Sequence, residues 1–190
     1  MPSAIDYQST LLSQQIFRET MNAFAHPMKC HDISGCIGDG PDAAILALCS
    51  VFLDNTAAFF AYGAGDLAKT IEQLTYARPS ELAKADFAII QGSGFSEWGS
   101  IYTGTLLDPH KGATVIIEAP KLEGDAQITA SGPGINGEAQ FYVDRQIADC
   151  LQETAKLEIE YPMGFELIFI TKQGKLIALP RRVSAKGEGM

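Results

Sequence analysis

The chain has 190 residues, 46 % of them apolar, which bounds it to one domain or two small ones and allows a sizeable core. Its formal net charge of −9 argues against general affinity for nucleic acid or an anionic membrane, although local arginines can still hold a phosphate on an acidic protein. The start, "MPSAIDYQSTLLSQQ", lacks the basic and apolar regions of a signal peptide, and no apolar run reaches the length of a membrane span. Cys30, Cys36, Cys49 and Cys150 are scattered without a disulfide framework, which fits a reducing cytoplasm.

"STLLSQQIFRETMNAFAHP" is an amphipathic pattern, with Leu12, Ile16, Met21 and Phe24 on a helical course. It predicts a helix that ends near His26, because the residue before Pro27 is pushed out of the helical region. Met28 to Pro41 reads as turns around one short strand. "DAAILALCSVFLD" is apolar on nearly all sides and predicts a buried helix with Asp42 near its N-cap. "TAAFFAYG" predicts a buried strand. "DLAKTIEQLTYARP" predicts a helix begun by Asp66 and stopped by Pro79, with Leu67, Ile71 and Leu74 on one face.

"ADFAIIQG" and "ATVIIEAP" predict two more strands, and "DAQITASG" and "EAQFYV" flank a glycine cluster. "DRQIADCLQETAKL" has helical spacing through Ile147, Leu151 and Leu157, and "FELIFITKQGKLIALP" reads as a hairpin turning at Gly174. The expected architecture is one α/β domain over residues 1–183, a mixed sheet flanked by helices, with a disordered tail over residues 184–190.

Within "ITASGPGINGEAQF", Gly132, Gly134 and Gly137 have the G-x-G-x-x-G spacing that can cradle a pyrophosphate. A dinucleotide loop must open a helix, whereas "EAQFYV" reads as a strand, and Pro133 removes a backbone donor inside the motif. A strand–turn–strand connection is therefore expected. "IIQGSGFSEWG" does follow a strand, but Glu97 takes the third glycine position, and Trp98 stands where a nucleophile elbow needs glycine. A serine hydrolase is not expected on that ground, while a strand end remains a candidate ligand site.

His26, Cys30, His31 and Cys36 lie close in sequence, yet their spacing fits no paired zinc-ligand set, so a polar loop with two half-buried thiols is expected. Arg18, Arg181 and Arg182 are the candidate anion-binding residues, and Arg78 is a further cation to follow, because bidentate recognition of phosphate or phosphonate uses guanidinium. The alternative is surface ion pairing. No catalytic residue is assigned: three histidines make no evident acid–base pair, and no lysine has a recognisable Schiff-base setting.

Taken in order, "FRETMNAFAHP", "ADFAII", "YTGTLLDPHKGATVIIEA", "ITASGPGI", "YPMGFELIFI" and "ALPRR" resemble the carbon–phosphorus lyase subunit family PhnH, from about Phe17 to Arg182. The resemblance implies a role in bacterial phosphonate breakdown, in a core complex with PhnG, PhnI and PhnJ. With PhnL, the PhnG, PhnH and PhnI subunits of such systems convert MgATP and an alkylphosphonate to a ribose 1-phosphonate 5-triphosphate, displacing adenine. PhnI is the expected carrier of that chemistry. It also implies a fold similar to the large domain of pyridoxal-phosphate transferases without the cofactor site, no cofactor bound by this subunit, and a homodimer in isolation. Two functions stay open: a scaffolding subunit without chemistry, or one that contributes binding groups for nucleotide or phosphonate. Two positions depart from the family pattern: Met28 stands where the family usually has glycine, and Glu166 where it often has aspartate.

Overall fold

The computed structural model describes residues 10–63 and 65–187. The reading of the first nine residues and the last three of the tail falls outside them. The helices are α1 (Thr10–Ala25), α2 (Ala43–Phe52), α3 (Leu67–Thr75) and α4 (Arg145–Ala155). The strands are β1 (His31–Asp32), β2 (Ala58–Tyr62), β3 (Arg78–Pro79), β4 (Phe87–Ile90), β5 (Thr114–Glu118), β6 (Ala126–Ser131), β7 (Glu138–Val143), β8 (Glu166–Ile170), β9 (Lys175–Leu179) and β10 (Ser184–Gly187).

A seven-stranded mixed sheet runs β1-β9-β8-β5-β4-β2-β3. Strands β8, β5, β4, β2 and β3 are parallel, and β9 and β1 add antiparallel pairs at one edge. The near-continuous apolar runs of β4, β5 and β8 follow from burial on both faces. Alternate residues then serve two cores. Ile89, Ile116 and Ile168 face one cluster with Ile16, Leu48 and Ile71 of α1, α2 and α3. Ile90, Ile117 and Phe169 face the other, with Ile128 of β6, Ile147 and Leu151 of α4, and Trp98.

The expected α/β domain with a mixed sheet is present, but the strands flanking the glycine cluster form a second sheet. It is antiparallel, ordered β10-β6-β7, and packs with α4 over the main sheet. Its outer strand corrects the tail: Ser184–Gly187 pairs with β6 from Ser184↔Ser131 to Gly187↔Ile128. "SAKG" has little strand character, so the pairing comes from the open edge of β6 and from burial of Ala185.

Asp42 stands at the N-cap of α2 as expected, though without a side-chain cap bond, whereas Asp144 caps α4 by accepting from the Gln146 N–H at 2.9 Å. Two other helix ends differ from expectation. Helix α3 stops at Thr75 through Tyr76, which takes a left-handed φ of 60°, and Pro79 lies beyond it in β3 at the sheet edge, where proline is tolerated. Leu157 lies past the end of α4 and packs into the core from the following loop.

Candidate functional site

The carboxyl ends of β4 and β5 form one side of a cleft of about 290 Å³. Such strand ends are favoured ligand positions in α/β sheets because the loops leaving them diverge. Here the loop after β4 passes through Gly92 (φ 77°) and Gly94 (φ 91°), conformations that glycine adopts without steric cost. It then turns inward, and Phe95 sets its ring edge-on to Trp98, 4.7 Å between centroids at 87°, and to Tyr62 at 5.3 Å. Helix α4 forms the opposite wall with Gln146, Asp149, Cys150 and Glu153, which share one face at helical spacing.

The polar groups at these strand ends bond to one another. The Gln91 side-chain amide donates to Asp42 Oδ1 at 2.7 Å and to Glu118 Oε2 at 3.0 Å, joining the start of α2 to the end of β5. Lys172 Nζ lies 3.6 Å from Glu118 Oε1, and the Gln146 amide donates to the Glu118 carbonyl at 3.0 Å. Asp149 and Glu153 pair outward with Arg145 at 2.9 Å and Lys156 at 2.6 Å. Burial pushes the Cys150 thiol pKa far up, so it stays protonated and is no nucleophile at neutral pH. No Lys, Arg or His lines the cleft. An anion placed there would meet two carboxylates and no cation.

Sequence reasoning located the strand end but missed Gln91, Asp42, Glu118 and Gln146 as one network. A signal existed: Gln91 and Glu118 are the first polar residues after "FAII" and "TVII". It also passed over Gly63 (φ 68°), where a Cβ would come within 2.3 Å of the Gln91 carbonyl oxygen. Glycine there is required for β2 and β4 to end so close together.

The other glycine cluster is the expected hairpin turn, with Ser131 paired to Glu138. A Cβ on Gly134 would lie 2.6 Å from Pro27 Cδ and 2.8 Å from the Ala25 carbonyl oxygen, and one on Gly132 2.7 Å from that of Arg182. These glycines let the turn press onto the end of α1 and the segment leading to β10. Beneath it, buried Met28 holds φ 66°, a conformation that glycine takes readily. His31 Nδ1 is 3.0 Å from Glu19 Oε2 and its ring stacks on His26 at 6.4 Å. Cys30 is exposed and Cys36 buried. Among the described residues no three His, Cys, Asp or Glu side chains converge as a metal site.

The candidate arginines are spread over the molecule. Arg18 is exposed on α1, and its side chain makes no ion pair among the described residues. Arg182 donates to the Tyr161 hydroxyl at 2.7 Å and lies 5.1 Å from that ring's centroid. Arg78 donates to the Thr56 carbonyl at 3.3 Å. Arg181 is a latch: its Nε and backbone N–H each donate at 2.7 Å to the Glu166 carboxylate, and its Nη1 donates to the Pro109 carbonyl. Glu166 thereby ties the start of β8 to the segment after β9, with the loop at Pro109 held by the same guanidinium. The Nε and Nη1 of Arg181 are thus engaged, and the side chain is mostly buried.

The fold and the site thus define an α/β domain of mixed sheet, with a strand-end cleft whose polar groups serve the structure. The chain belongs to the family of the bacterial phosphonate metabolism protein PhnH, whose model matches residues 7–186. A relative named Putative C-P lyase subunit protein HtxG, from Stutzerimonas stutzeri, is 24 % identical over 180 residues, covering 92 % of this chain and 87 % of that protein. Among the described residues no helix is long and apolar enough to cross a membrane.

Proposed function

We propose that this chain is a non-catalytic subunit of a carbon–phosphorus lyase assembly in the bacterial cytoplasm. It supports formation of alpha-D-ribose 1-methylphosphonate 5-triphosphate from MgATP and methylphosphonate, beside PhnG, PhnI, PhnJ and PhnL. It binds no cofactor of its own, forms a homodimer when isolated, and keeps a fold related to the large domain of pyridoxal-phosphate transferases. The observation that carries this reading is the family match over residues 7–186, together with a relative named as a C-P lyase subunit. The geometry supports it: the carboxylates at the strand ends are held by Gln91 and Lys172. Lys69 and Lys84 sit in solvated ion pairs with Asp66 and Glu81 rather than in a Schiff-base pocket.

Turnover tests the proposal. MgATP and methylphosphonate should not react with the purified chain, should react once the companion subunits are added, and should react poorly when this chain is left out. Comparable turnover by the chain alone, or undiminished turnover without it, would refute the reading.

A second reading is that the cleft beside Trp98 and α4 binds a small molecule, favoured by its place at the strand ends. Its lining carboxylates argue against methylphosphonate as the occupant. Calorimetric titration of the isolated chain with MgATP and with methylphosphonate separates the two readings, and the first expects no heat of binding from either.

A further inference from the structure

Helix α1 carries two apolar stripes. Ile16, Thr20 and Ala23 are fully buried against the domain. One position round the helix, Phe17, Met21 and Phe24 repeat the i, i+4, i+7 spacing, yet Phe17 is 49 % and Met21 37 % exposed. Phe17 rests on Phe52 at the end of α2, 5.9 Å between ring centroids. Met21, Phe24 and Phe52 then continue with Phe87 into an open groove of about 380 Å³ at the amino ends of β4, β5 and β8. Three phenylalanines lining one open groove, with Phe17 resting on one of them at its rim, are the composition of an interface core, not of an ordinary surface.

The charges beside the groove are one-sided. Among the described residues Glu166 is the only carboxylate lining it, and Arg181 donates to both its oxygens. Glu19 of α1 is engaged by His31. Arg18, next to Phe17 and one turn from Met21, has no ion-pair partner among the described residues.

We propose that this groove is where the chain docks onto a companion subunit, receiving an apolar segment of that subunit whose carboxylate pairs with Arg18. The inference rests on the assembly reading above. A second copy of this chain fits less well: a two-fold contact sets the same patch against itself, and the patch offers Arg18 no unengaged carboxylate.

The test uses the full tagged chain with PhnG, PhnI and PhnJ, measuring co-elution and apparent affinity at two salt concentrations. Phe17→Ser and Met21→Ser should each weaken assembly about tenfold or more, as loss of an apolar anchor does. Arg18→Gln should weaken it and reduce its salt dependence. Tyr142→Ser, at an exposed aromatic of β7, should leave assembly unchanged, and all four should melt with the parent chain. Normal assembly by the three α1 variants would overturn the proposal. A shift from dimer to monomer with assembly intact would assign the groove to a second copy and overturn it too. Failure of the unsubstituted chain to assemble would refute the assembly reading along with it.

Discussion

The two ends of the parallel strands use the same sheet in opposite ways. At the carboxyl ends, Gln91, Asp42, Glu118 and Lys172 satisfy one another and glycines bring the backbones close. At the amino ends, the polar groups are gathered into the Arg181–Glu166 latch, and a phenylalanine-lined groove is left open. In an α/β enzyme the carboxyl ends are where reactive groups stand unpaired toward the substrate. Here those groups cross-brace α2, β4 and β5, while uncovered apolar surface collects at the other end. That contrast leaves the chain with one cross-braced end and one end where apolar side chains stay accessible.

The contrast can be tested by substitution at each end. The largest effect is expected at the latch, where Arg181→Ala leaves a half-buried Glu166 and the Pro109 carbonyl without their donor. Urea denaturation should show a loss of about 3 kcal/mol. Glu166→Asp keeps the charge and should lose less than half of that.

The two glycine clusters come next. Gly134→Ala combines positive φ with a clash against Pro27 and the Ala25 carbonyl, for a loss of about 2 kcal/mol. Gly92→Ala has positive φ but open space around the new methyl, for about 1 kcal/mol. Equal losses on thermal melting would mean that the hairpin turn does not bear on α1. Gln91→Ala should cost about 1 kcal/mol, since Lys172 still neutralises Glu118; a loss as large as that at the latch would remove the contrast between the ends.

The smallest effect at neutral pH belongs to the thiols. Cys30 should react with iodoacetamide at pH 8, while Cys36, Cys49 and Cys150 stay protected until the protein unfolds, as mass spectrometry would show. Burial raises Cys49 from 9.0 to about 12, so the folded state holds this proton more tightly than the unfolded state does. Its contribution to stability is complete below pH 9 and is lost as pH rises from 9 toward 12. Stability that rose across that window would contradict burial of Cys49.

Much of the fold was legible because period and length report burial directly. The 3.6-residue spacing of Leu67, Ile71 and Leu74 marked α3, and "FELIFI" and "KLIAL" around Gly174 marked the β8–β9 hairpin. The site was less legible. Arg18, Arg181 and Arg182 look alike in sequence, yet one is exposed with no ion pair among the described residues, one is a latch, and one lies on Tyr161. A guanidinium's role depends on which carboxylates and carbonyls the fold brings near it, and no local pattern records that.

By itself the sequence determined the helices and most strands, the reading of Gly132–Gly137 as a turn, and the family resemblance. Each rests on neighbouring residues or on motif order along the chain. Only the tertiary structure decided that the hairpin leaves the main sheet, that "SAKG" becomes its third strand, and that Gln91 joins Asp42 to Glu118. Only it separated the two stripes of α1 into one that is buried and one that is partly exposed. The physical reason is the same in each case. Hydrophobic periodicity says that a face must be covered, but strand order and packing decide what covers it, and those depend on residues far apart in the chain.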